Sequence, residues 1–263
     1  MEGERVLGES IDIVILTKNE AKNLGDCLVS FRGLGQAVIV DDGSTDGTVE
    51  MAEAAGALVY SRKLDDFANQ RNFALEVSKA DWVFYLDSDE RFTPELVEAV
   101  RAHVDGSKAV GLGAAGKVLR KNFAFGKRFR FGHLAPDWVV RLFPKGEVKW
   151  VGAVHERAVT GLEIKPLGGN LIHQTYRDWD HFLGKMEWYS RMWAQGAAKE
   201  GKAGGVGLAL GKAAANVFKT MVLKMGVLDG PYGWAVSAAI GYYTMSKYLI
   251  LDSLNKANGK VEG

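Results

Sequence analysis

Short apolar runs alternate with longer amphipathic segments through the first part of the chain. The runs are rich in β-branched and aromatic residues and lie at 11–17, 36–40, 56–60 and 82–86. The segments between them have apolar residues at helical spacing and lie at 21–31, 48–55 and 67–78. Strands that alternate with helices of this length predict a parallel sheet with right-handed crossovers and helices on both faces.

The pattern changes after Thr93, which with Pro94 and Glu95 forms a good helix start. A helix is predicted at 94–104, strands at 111–119 and 139–143, and further helices at 182–199, 208–228 and 234–251. We therefore predict an α/β fold with a mostly parallel sheet flanked by helices. The predicted domain boundary separates 1–180 from a helical C-terminal region at 181–263.

Composition narrows the class of protein. The 33 basic and 32 acidic residues nearly cancel, so the overall charge does not indicate a nucleic-acid partner. The single cysteine, Cys27, excludes an intrachain disulfide and is typical of a small buried helix residue. The acidic, polar residues 1–10 do not resemble a signal peptide, and we expect a cytoplasmic location.

Polar residues follow three of the predicted strands, at 17–20, 41–46 and 87–90. Ligands of open α/β sheets bind beyond the carboxyl ends of the strands, which predicts one site at this edge. Asp87 and Asp89 can both approach a divalent cation that also takes diphosphate oxygens. The alternative is a polar turn that leads into the helix starting near Pro94.

The segment 41–48 also has two interpretations. Gly43 and Gly47 permit a turn with positive φ, and Asp46 can cap the next helix. Asp41 and Asp42 exceed what capping requires and can accept hydrogen bonds from a base or a ribose. The chain lacks a P-loop motif and a G-x-G-x-x-G after its first strand, which disfavours ATPases and Rossmann dehydrogenases.

Eight ordered motifs resemble glycosyltransferase family 2, a family of inverting enzymes with the GT-A fold that use nucleotide sugars. Four are ILTKNEAKNL, VIVDDGSTDGT, DDFANQRNFAL and WVFYLDSDERFTPEL. The other four, PDWVVRLFPKG, WVGAVHERA, LIHQTYRDW and LDGPYGW, resemble more narrowly the lipopolysaccharide-core β-glucosyltransferase branch. The resemblance implies that 1–180 is a GT-A catalytic domain.

The resemblance also implies roles for individual residues. Those matching the nucleotide-binding loops and the donor pocket are Thr17, Asn19, Glu20, Asp41, Asp42, Arg71 and Asn72. Asp87, Ser88 and Asp89 match the family's D-x-D motif, which holds Mg²⁺ or Mn²⁺ beside the donor diphosphate. Asp89 is the first choice as metal ligand, and Asp87 is the second.

An inverting transfer needs a base that takes the proton of the acceptor hydroxyl. Glu156 is the first choice, His155 would orient it or contact the metal or diphosphate, and Asp137 is the reserve candidate. This assignment depends on the narrower resemblance, because the family's usual Glu-Asp base motif is absent. Without it, His155 and Glu156 would be a polar strand end.

Two later segments have alternative interpretations. Basic residues interleave with phenylalanines at 120–131, which suits an acidic, saccharide or lipid-linked acceptor or an exposed hairpin whose lysines protect its edge. The lysine-flanked helices after 199 suit the headgroup layer of an anionic membrane, or packing on the catalytic domain or a second subunit. Neither helix is expected to span a membrane, because the longest uncharged stretch, 230–246, has 17 residues.

The function that these features predict is metal-dependent transfer of a hexose with inversion. UDP-glucose is the expected donor and a saccharide or lipid-linked acceptor such as a lipopolysaccharide core is the expected acceptor. The alternatives are a polyprenyl-phosphate sugar transferase and a non-catalytic nucleotide-sugar-binding module. We expect a peripheral protein on the cytoplasmic face of the inner membrane, with a possible homo-oligomer through the C-terminal helices.

Overall fold

The computed structural model describes residues 10–110, 113–152 and 156–259, apart from the side chains of 108–110. The chain divides into two compact units. The first, here called the sheet unit, comprises Met1–Arg120 and Trp138–His173; the second, the helical unit, comprises Lys121–Asp137 and Gln174–Gly263. The domain boundary predicted at residue 180 stays a prediction.

The first four strands form the parallel part of the sheet. They are β1 (Ile11–Thr17), β2 (Gln36–Asp41), β3 (Leu58–Ser61) and β4 (Trp82–Asp87). β1 pairs in parallel with β2 and β4, and β2 pairs in parallel with β3. The predicted α/β class is confirmed, and the predicted strands lie within a few residues of the observed ones.

Four helices connect these strands and follow them. They are α1 (Ala21–Ser30), α2 (Thr48–Ala54), α3 (Phe67–Val77) and α4 (Pro94–Val110). α3 begins where the Asp66 carboxylate accepts a hydrogen bond from the backbone N–H of Asn69, which satisfies one free donor of the first turn. α2 begins after Gly47, whose φ of 86° suits glycine.

Seven further strands follow along the described chain. They are β5 (Glu90–Phe92), β6 (Ala115–Ala124), β7 (Lys127–Arg128), β8 (Asp137–Pro144), β9 (Lys149–Val151), β10 (Arg157–Val159) and β11 (Ile164–Tyr176). Among the described residues the strand order is β3-β2-β1-β4-β8-β6-β11-β5. β8 pairs antiparallel with β4, and β11 pairs antiparallel with β5, so the sheet is mixed beyond β4. β9 and β10 form a separate antiparallel pair.

The two faces of the central strands are buried in different cores. Ile13 and Ile15 of β1 pack with Phe84 and Leu86 of β4 on one face. Val14 packs on the other face, in the cluster that contains Val83 and Tyr85. This alternation explains the continuous apolar runs in the sequence, since a strand between two helical layers needs apolar side chains on both faces.

Three long helices lie in the described part of the helical unit. They are α5 (Trp179–Lys199), α6 (Val206–Phe218), which continues as a π-helix at Lys219–Leu223, and α7 (Gly230–Gly259). α5 begins where the Asp178 carboxylate accepts a hydrogen bond from the backbone N–H of His181. Phe182 and Met186 of α5 and Val236 and Ile240 of α7 are buried in the core of this unit.

The basic and aromatic segment at 120–131 contributes Ala124 and Phe129 to that core. It forms a hairpin in which β6 pairs with β7, but Phe129 is buried and Phe125 stacks on Trp179 with ring centroids 4.1 Å apart. The interpretation as an exposed hairpin is therefore wrong for Phe129, which is buried in one cluster with side chains of α5 and α7. The acceptor role of this segment stays a prediction.

The expectation that no C-terminal helix spans a membrane stays a prediction, because one helical stretch meets the length and hydropathy of a span. Within the described residues, Val206–Leu223 is a helical stretch of 18 residues with a mean hydropathy of 1.3, of which 17% is buried. By length and composition alone this stretch is long and apolar enough to cross a membrane. A single stretch of this kind is weak evidence for a span, since apolar helices of soluble proteins share these properties.

Candidate active site

The carboxyl ends of β1, β2 and β4 lie side by side at one edge of the sheet. The parallel register places Thr17 opposite Asp41 and Leu16 opposite Asp87. The three polar loops that follow these strands therefore begin next to one another, at the edge where ligands of open α/β sheets bind.

Hydrogen bonds join the first two loops. The buried Asp41 carboxylate accepts from Thr17 Oγ1 at 2.9 Å and from the Ser44 N–H at 2.7 Å. Asn19 donates its backbone N–H to Ser44 Oγ at 2.8 Å and accepts from the Thr45 N–H at 2.8 Å. Thr17, Asn19 and Asp41 thus shape these loops, and their contacts with a nucleotide stay predictions.

Asp42 and Glu20 also contact neighbouring segments. Asp42 accepts from Lys18 Nζ at 2.6 Å and from the Leu64 N–H at 2.8 Å. The hydrogen bond from Lys18, followed by that from Leu64, lowers the pKa of Asp42. The backbone N–H of Glu20 donates to Thr48 Oγ1 at 2.8 Å.

A group of paired charges occupies the end of β4. The Asp87 carboxylate lies 2.5 Å from Arg141 Nη2, 3.7 Å from Arg71 Nη2 and 3.9 Å from Arg120 Nη1. Glu90 is fully buried and accepts from Arg141 at 2.8 Å, from Arg120 at 3.1 Å and from the backbone N–H of Asp87 at 3.0 Å. We call Arg71, Arg120 and Arg141 the arginine cluster.

The arginine cluster controls the ionisation of Asp87. Burial alone would raise the pKa of Asp87, but the charges of Arg141, Arg71 and Arg120 outweigh this effect and hold the pKa well below its usual range. Burial alone would lower the pKa of Arg141, and Asp87 and Glu90 raise it instead. The acids and arginines therefore stabilise each other in their charged forms.

Arg71 retains unused hydrogen-bonding capacity. Its guanidinium carbon lies 4.7 Å from the centre of the Trp150 ring, and its Nη2 lies 3.3 Å from Glu156 Oε1. Within the described parts of the chain, Nε of Arg71 and Nε of Arg141 are buried without a hydrogen-bond partner. Unpaired guanidinium donors of this kind suit an oxyanion ligand.

Asn72 fixes the wall of the site instead of facing it. Its Nδ2 donates to the carbonyl of Trp150 at 2.9 Å, and its Oδ1 accepts from the N–H of Trp150 at 2.9 Å. Both groups of the amide are therefore used to hold β9. The predicted contact of Asn72 with the donor stays a prediction and would compete with this pairing.

The structure brings His173 to Asp89, which sequence reasoning had not selected. His173 Nε2 lies 3.4 Å from Asp89 Oδ2, because β11 pairs with β5 and places His173 opposite Glu90. The signal in the sequence was the motif LIHQTYRDW, which contains His173 but did not indicate a contact with Asp89. The backbone carbonyl of Ser88 accepts from Arg91 Nη1 at 2.7 Å.

Asp89 and His173 fit a divalent cation better than Asp87 does. Within residues 10–110, 113–152 and 156–259, no group of three or more His, Cys, Asp and Glu side chains has the spacing of a metal site. A cation that takes most of its oxygen ligands from phosphate and water needs only one or two protein ligands. Asp87 is instead held by Arg141, so its role as a metal ligand stays a prediction.

The two other predicted catalytic residues have different outcomes. His155 lies outside the described residues. Asp137 is the first residue of β8 and belongs to the helical unit, where its carboxylate accepts from Asn122 Nδ2 at 3.2 Å. Of the two candidates that the structure describes, Glu156 is the one that lies beside Arg71.

The arginine cluster, Asp87 and Glu156 line a cleft of about 450 Å³ in the sheet unit. Its charged lining residues are Arg71, Asp87, Arg120, Arg141, Glu156 and Arg157. Trp150 supplies an aromatic wall. The arrangement combines guanidinium groups suited to phosphate with a carboxylate that can accept a proton.

A strand-end site with acids and arginines of this kind is suited to a phosphorylated ligand. The family model described as glycosyl transferase family 2 matches residues 12–154. The chain belongs to glycosyl transferase family 2, which confirms the resemblance seen in its motifs.

Two curated relatives show the extent of similarity. An uncharacterised glycosyltransferase of Rickettsia bellii is 33% identical over 96 residues, which cover 36% of this chain and 33% of that protein. The lipopolysaccharide core biosynthesis glycosyltransferase LpsC of Rhizobium meliloti is 28% identical over 197 residues, with 72% of each chain covered. The chain thus spans about 33% of the length of the first curated relatives that it matches.

Two solved structures are also similar. Staphylococcus aureus TarS 1–349 has a TM-score of 0.46 and 12% identity, with 95% of this chain and 91% of that chain covered. Glucosyl-3-phosphoglycerate synthase from Mycobacterium tuberculosis, in complex with Mn²⁺, UDP and glucosyl-3-phosphoglycerate, has a TM-score of 0.34 and 26% identity, with 45% of each chain covered.

Proposed function

We propose that the protein is a metal-dependent inverting glycosyltransferase that moves a hexose from a nucleotide sugar, UDP-glucose, to a saccharide or lipid-linked acceptor. The observation that carries this proposal is the cleft in which the arginine cluster and Glu156 meet. Guanidinium donors recognise the donor diphosphate there, and a carboxylate lies beside them. Family membership supports the same activity.

The donor diphosphate enters beside the arginine cluster. Arg71 makes only long contacts with its two acids, 3.3 Å to Glu156 and 3.7 Å to Asp87, so a phosphate oxygen can replace them at little cost. Arg120 and Arg141 stay fixed because the buried Glu90 accepts hydrogen bonds from both. Arg71 can therefore turn to the diphosphate, whereas Arg120 and Arg141 stay in place.

Asp89 and His173 would hold the Mg²⁺ or Mn²⁺ that the family resemblance implies. Such an ion, when bound, offsets the negative charge that develops on the leaving diphosphate. Asp89 provides a carboxylate oxygen, and His173 provides an imidazole nitrogen 3.4 Å away. Asp87 contributes indirectly by keeping Arg141 in place.

Glu156 takes the proton of the acceptor hydroxyl. The acceptor oxygen then forms a bond to the anomeric carbon while the bond from that carbon to the diphosphate oxygen breaks. The diphosphate leaves with the bonding electron pair, and the anomeric configuration inverts. Arg71 moves from Glu156 to the diphosphate when the donor binds, which leaves the carboxylate free to accept the proton.

The acceptor and the location are part of this proposal. Similarity to a lipopolysaccharide core biosynthesis glycosyltransferase over 72% of both chains supports a lipopolysaccharide core acceptor. A protein that acts on such an acceptor works in the cytoplasm at the inner face of the inner membrane. A polyprenyl phosphate acceptor would use the same donor cleft.

A transfer assay tests the proposal. The full chain is incubated with UDP-sugars, Mn²⁺ or a chelator, and either a core oligosaccharide or a polyprenyl phosphate. We expect turnover of UDP-glucose with the core acceptor, and its loss with the chelator. Asp89→Ala and Glu156→Gln should each lower turnover by at least about 100-fold. Glu53→Gln, an exposed change on α2, is the control and should keep full activity.

The results of this assay distinguish the roles of Asp89 and Glu156, the class of acceptor, and an enzyme from a binding module. Full activity in Asp89→Ala or Glu156→Gln would remove that residue from the mechanism, provided that both variants melt at the wild-type temperature. Turnover only with polyprenyl phosphate would identify the other transferase class. UDP-sugar binding, seen as a rise in melting temperature, without any turnover would identify a binding module. Binding of Mn²⁺, followed by its electron paramagnetic resonance signal, should weaken in His173→Ala.

A further inference from the structure

The helix α6 exposes several large apolar side chains. Leu210, Ala214 and Phe218 lie four residues apart and therefore on one face, and all three are exposed, Leu210 at 55% and Phe218 at 56%. The opposite face packs on α7, where Asn216 Nδ2 donates to Thr244 Oγ1 at 2.8 Å. Surface helices of soluble proteins normally show the reverse arrangement.

The exposed apolar surface continues beyond α6. Val222 and Leu223 in the π-helix are 53% and 67% exposed, and Leu228 in the following turn is 61% exposed. We call the exposed side chains of 206–228 the lysine-flanked apolar surface. Contiguous exposed apolar patches of this kind mark sites of interaction with proteins or membranes.

The charge on this surface has one sign. Lys212, Lys219 and Lys224 are exposed, and the sequence contains no aspartate or glutamate from 201 to 228. The next acid, Asp229, is buried and accepts hydrogen bonds from the backbone N–H groups of Arg130 and Phe131. The surface therefore presents positive charge without a carboxylate to balance it.

The positive charge favours one kind of partner for the lysine-flanked apolar surface over another. A second copy of the chain, bound through the same surface, would place lysines against lysines with no acid on either side. An anionic bilayer complements both features, because headgroups pair with the lysines and apolar side chains enter the acyl boundary. Trp234 and Tyr232, 50% and 40% exposed, provide the aromatic side chains typical of that boundary.

The position of the lysines indicates how the surface meets the bilayer. Lys212 and Lys219 lie within Val206–Leu223, seven residues apart and hence on the same side of the helix. A spanning orientation would carry Lys212 into the hydrocarbon, which is strongly unfavourable. An orientation parallel to the membrane keeps both lysines at the headgroups.

We propose that residues 206–228 dock the protein in the plane of an anionic bilayer, with Lys212, Lys219 and Lys224 on phospholipid headgroups and Leu210, Phe218 and Leu223 inserted among the acyl chains. This proposal is independent of sugar transfer, since it depends only on the surface of the helical unit.

Vesicle flotation of the full chain tests the proposal. The vesicles contain phosphatidylcholine alone or with phosphatidylglycerol, at low and high salt. We expect binding only to the anionic vesicles, with release at high salt. The triple variant Lys212→Gln/Lys219→Gln/Lys224→Gln should lower the partition coefficient roughly 100-fold. Leu210→Ser/Phe218→Ser should also lower it, by at least about tenfold.

Matched variants in the sheet unit serve as controls. Lys22→Gln/Lys63→Gln/Lys149→Gln removes the same number of exposed lysines, and Val29→Ser/Phe67→Ser removes two exposed apolar side chains. Both should leave vesicle binding unchanged. Melting temperatures within the wild-type range for all four variants would exclude misfolding as the cause of lost binding.

Several results would overturn the proposal. Equal binding to neutral and anionic vesicles would exclude the lysine contacts, and retention at high salt would indicate a spanning helix. Absence of vesicle binding together with a dimer that the Leu210→Ser/Phe218→Ser variant abolishes would assign the surface to a second copy of the chain. An equal loss of binding in the control variants would show that the effect is not specific to 206–228.

Discussion

The sheet unit buries charged side chains, whereas the helical unit exposes large apolar ones. The sheet unit buries Glu90 and Arg141, and each is paired with opposite charge. The helical unit exposes Phe218 and Leu223, which soluble proteins usually cover. Each arrangement costs free energy unless a partner offsets it, because unpaired buried charges and exposed apolar patches are both unfavourable. The comparison thus agrees with the two proposals, an anionic ligand at the arginine cluster and a lipid surface at 206–228.

The largest expected effect tests whether the helical unit has a core of its own. Phe182 is fully buried and lies 4.7 Å from Tyr176 between ring centroids. Phe182→Ala should lower the free energy of unfolding by about 3–5 kcal/mol, measured by urea denaturation, because it leaves a cavity. Trp188→Ala on the same helix, where the side chain is 55% exposed, is the control and should cost less than about 1 kcal/mol. Equal losses would mean that this core is not well packed.

The next effect tests the charge pairing of the sheet unit. Arg141→Met keeps an apolar stem but leaves Glu90 with fewer positive partners, which should cost about 3 kcal/mol in the free energy of unfolding. Arg157→Met changes an exposed arginine of the same cleft and should cost less than about 0.5 kcal/mol. If both variants unfold at the same urea concentration as the wild type, the buried pairs do not stabilise the fold.

A smaller effect appears at acidic pH. The pKa of Asp87 in the folded protein lies below its usual value of 3.8, so its contribution to stability is complete above that value and is lost as the pH falls below it. Urea denaturation at several pH values should show a shallower decrease in stability for Asp87→Asn than for the wild type. We expect this difference to be smaller than the effect of Arg141→Met, since the Asp87 side chain is 39% exposed and solvent screens it. Parallel pH profiles would contradict the pairing of Asp87 with the arginine cluster.

The smallest effect concerns the exposed apolar surface. Leu210→Ser and Leu223→Ser should each change the free energy of unfolding in water by no more than about 0.5 kcal/mol, because more than half of each side chain is exposed. Denaturation in buffer measures this directly. A loss above about 2 kcal/mol would show that these leucines are packed in solution, and the contrast between the two units would then fail.

Much of the sheet unit was predictable from local sequence patterns. β1 was predicted with its observed bounds, and the acids Asp41, Asp87 and Asp89 were placed at strand ends. These features depend on the alternation of side chains along a strand and on capping and turn residues, all of which are local. The three polar loops could be placed at one edge for the same reason, since parallel strands share a direction.

The partners of those acids could not be predicted in the same way. Arg141 lies 54 residues from Asp87, and Arg71 lies 85 residues from Glu156. Such pairs follow from the antiparallel addition of β8 and from the packing of α3, neither of which leaves a periodic signal. His173 reached Asp89 only because β11 pairs with β5.

Contacts between distant residues also decided the burial of the segment 120–131 and of the surface of α6. The sequence showed that Phe125 and Phe129 are apolar and that lysines separate the apolar residues of α6. Both patterns allowed an exposed and a buried interpretation. Only the packing of α5 and α7 decided that Phe129 is covered and Phe218 is not. The sequence alone determined which residues are apolar or charged. The tertiary structure decided which of them are exposed to solvent, because burial depends on contacts between distant segments.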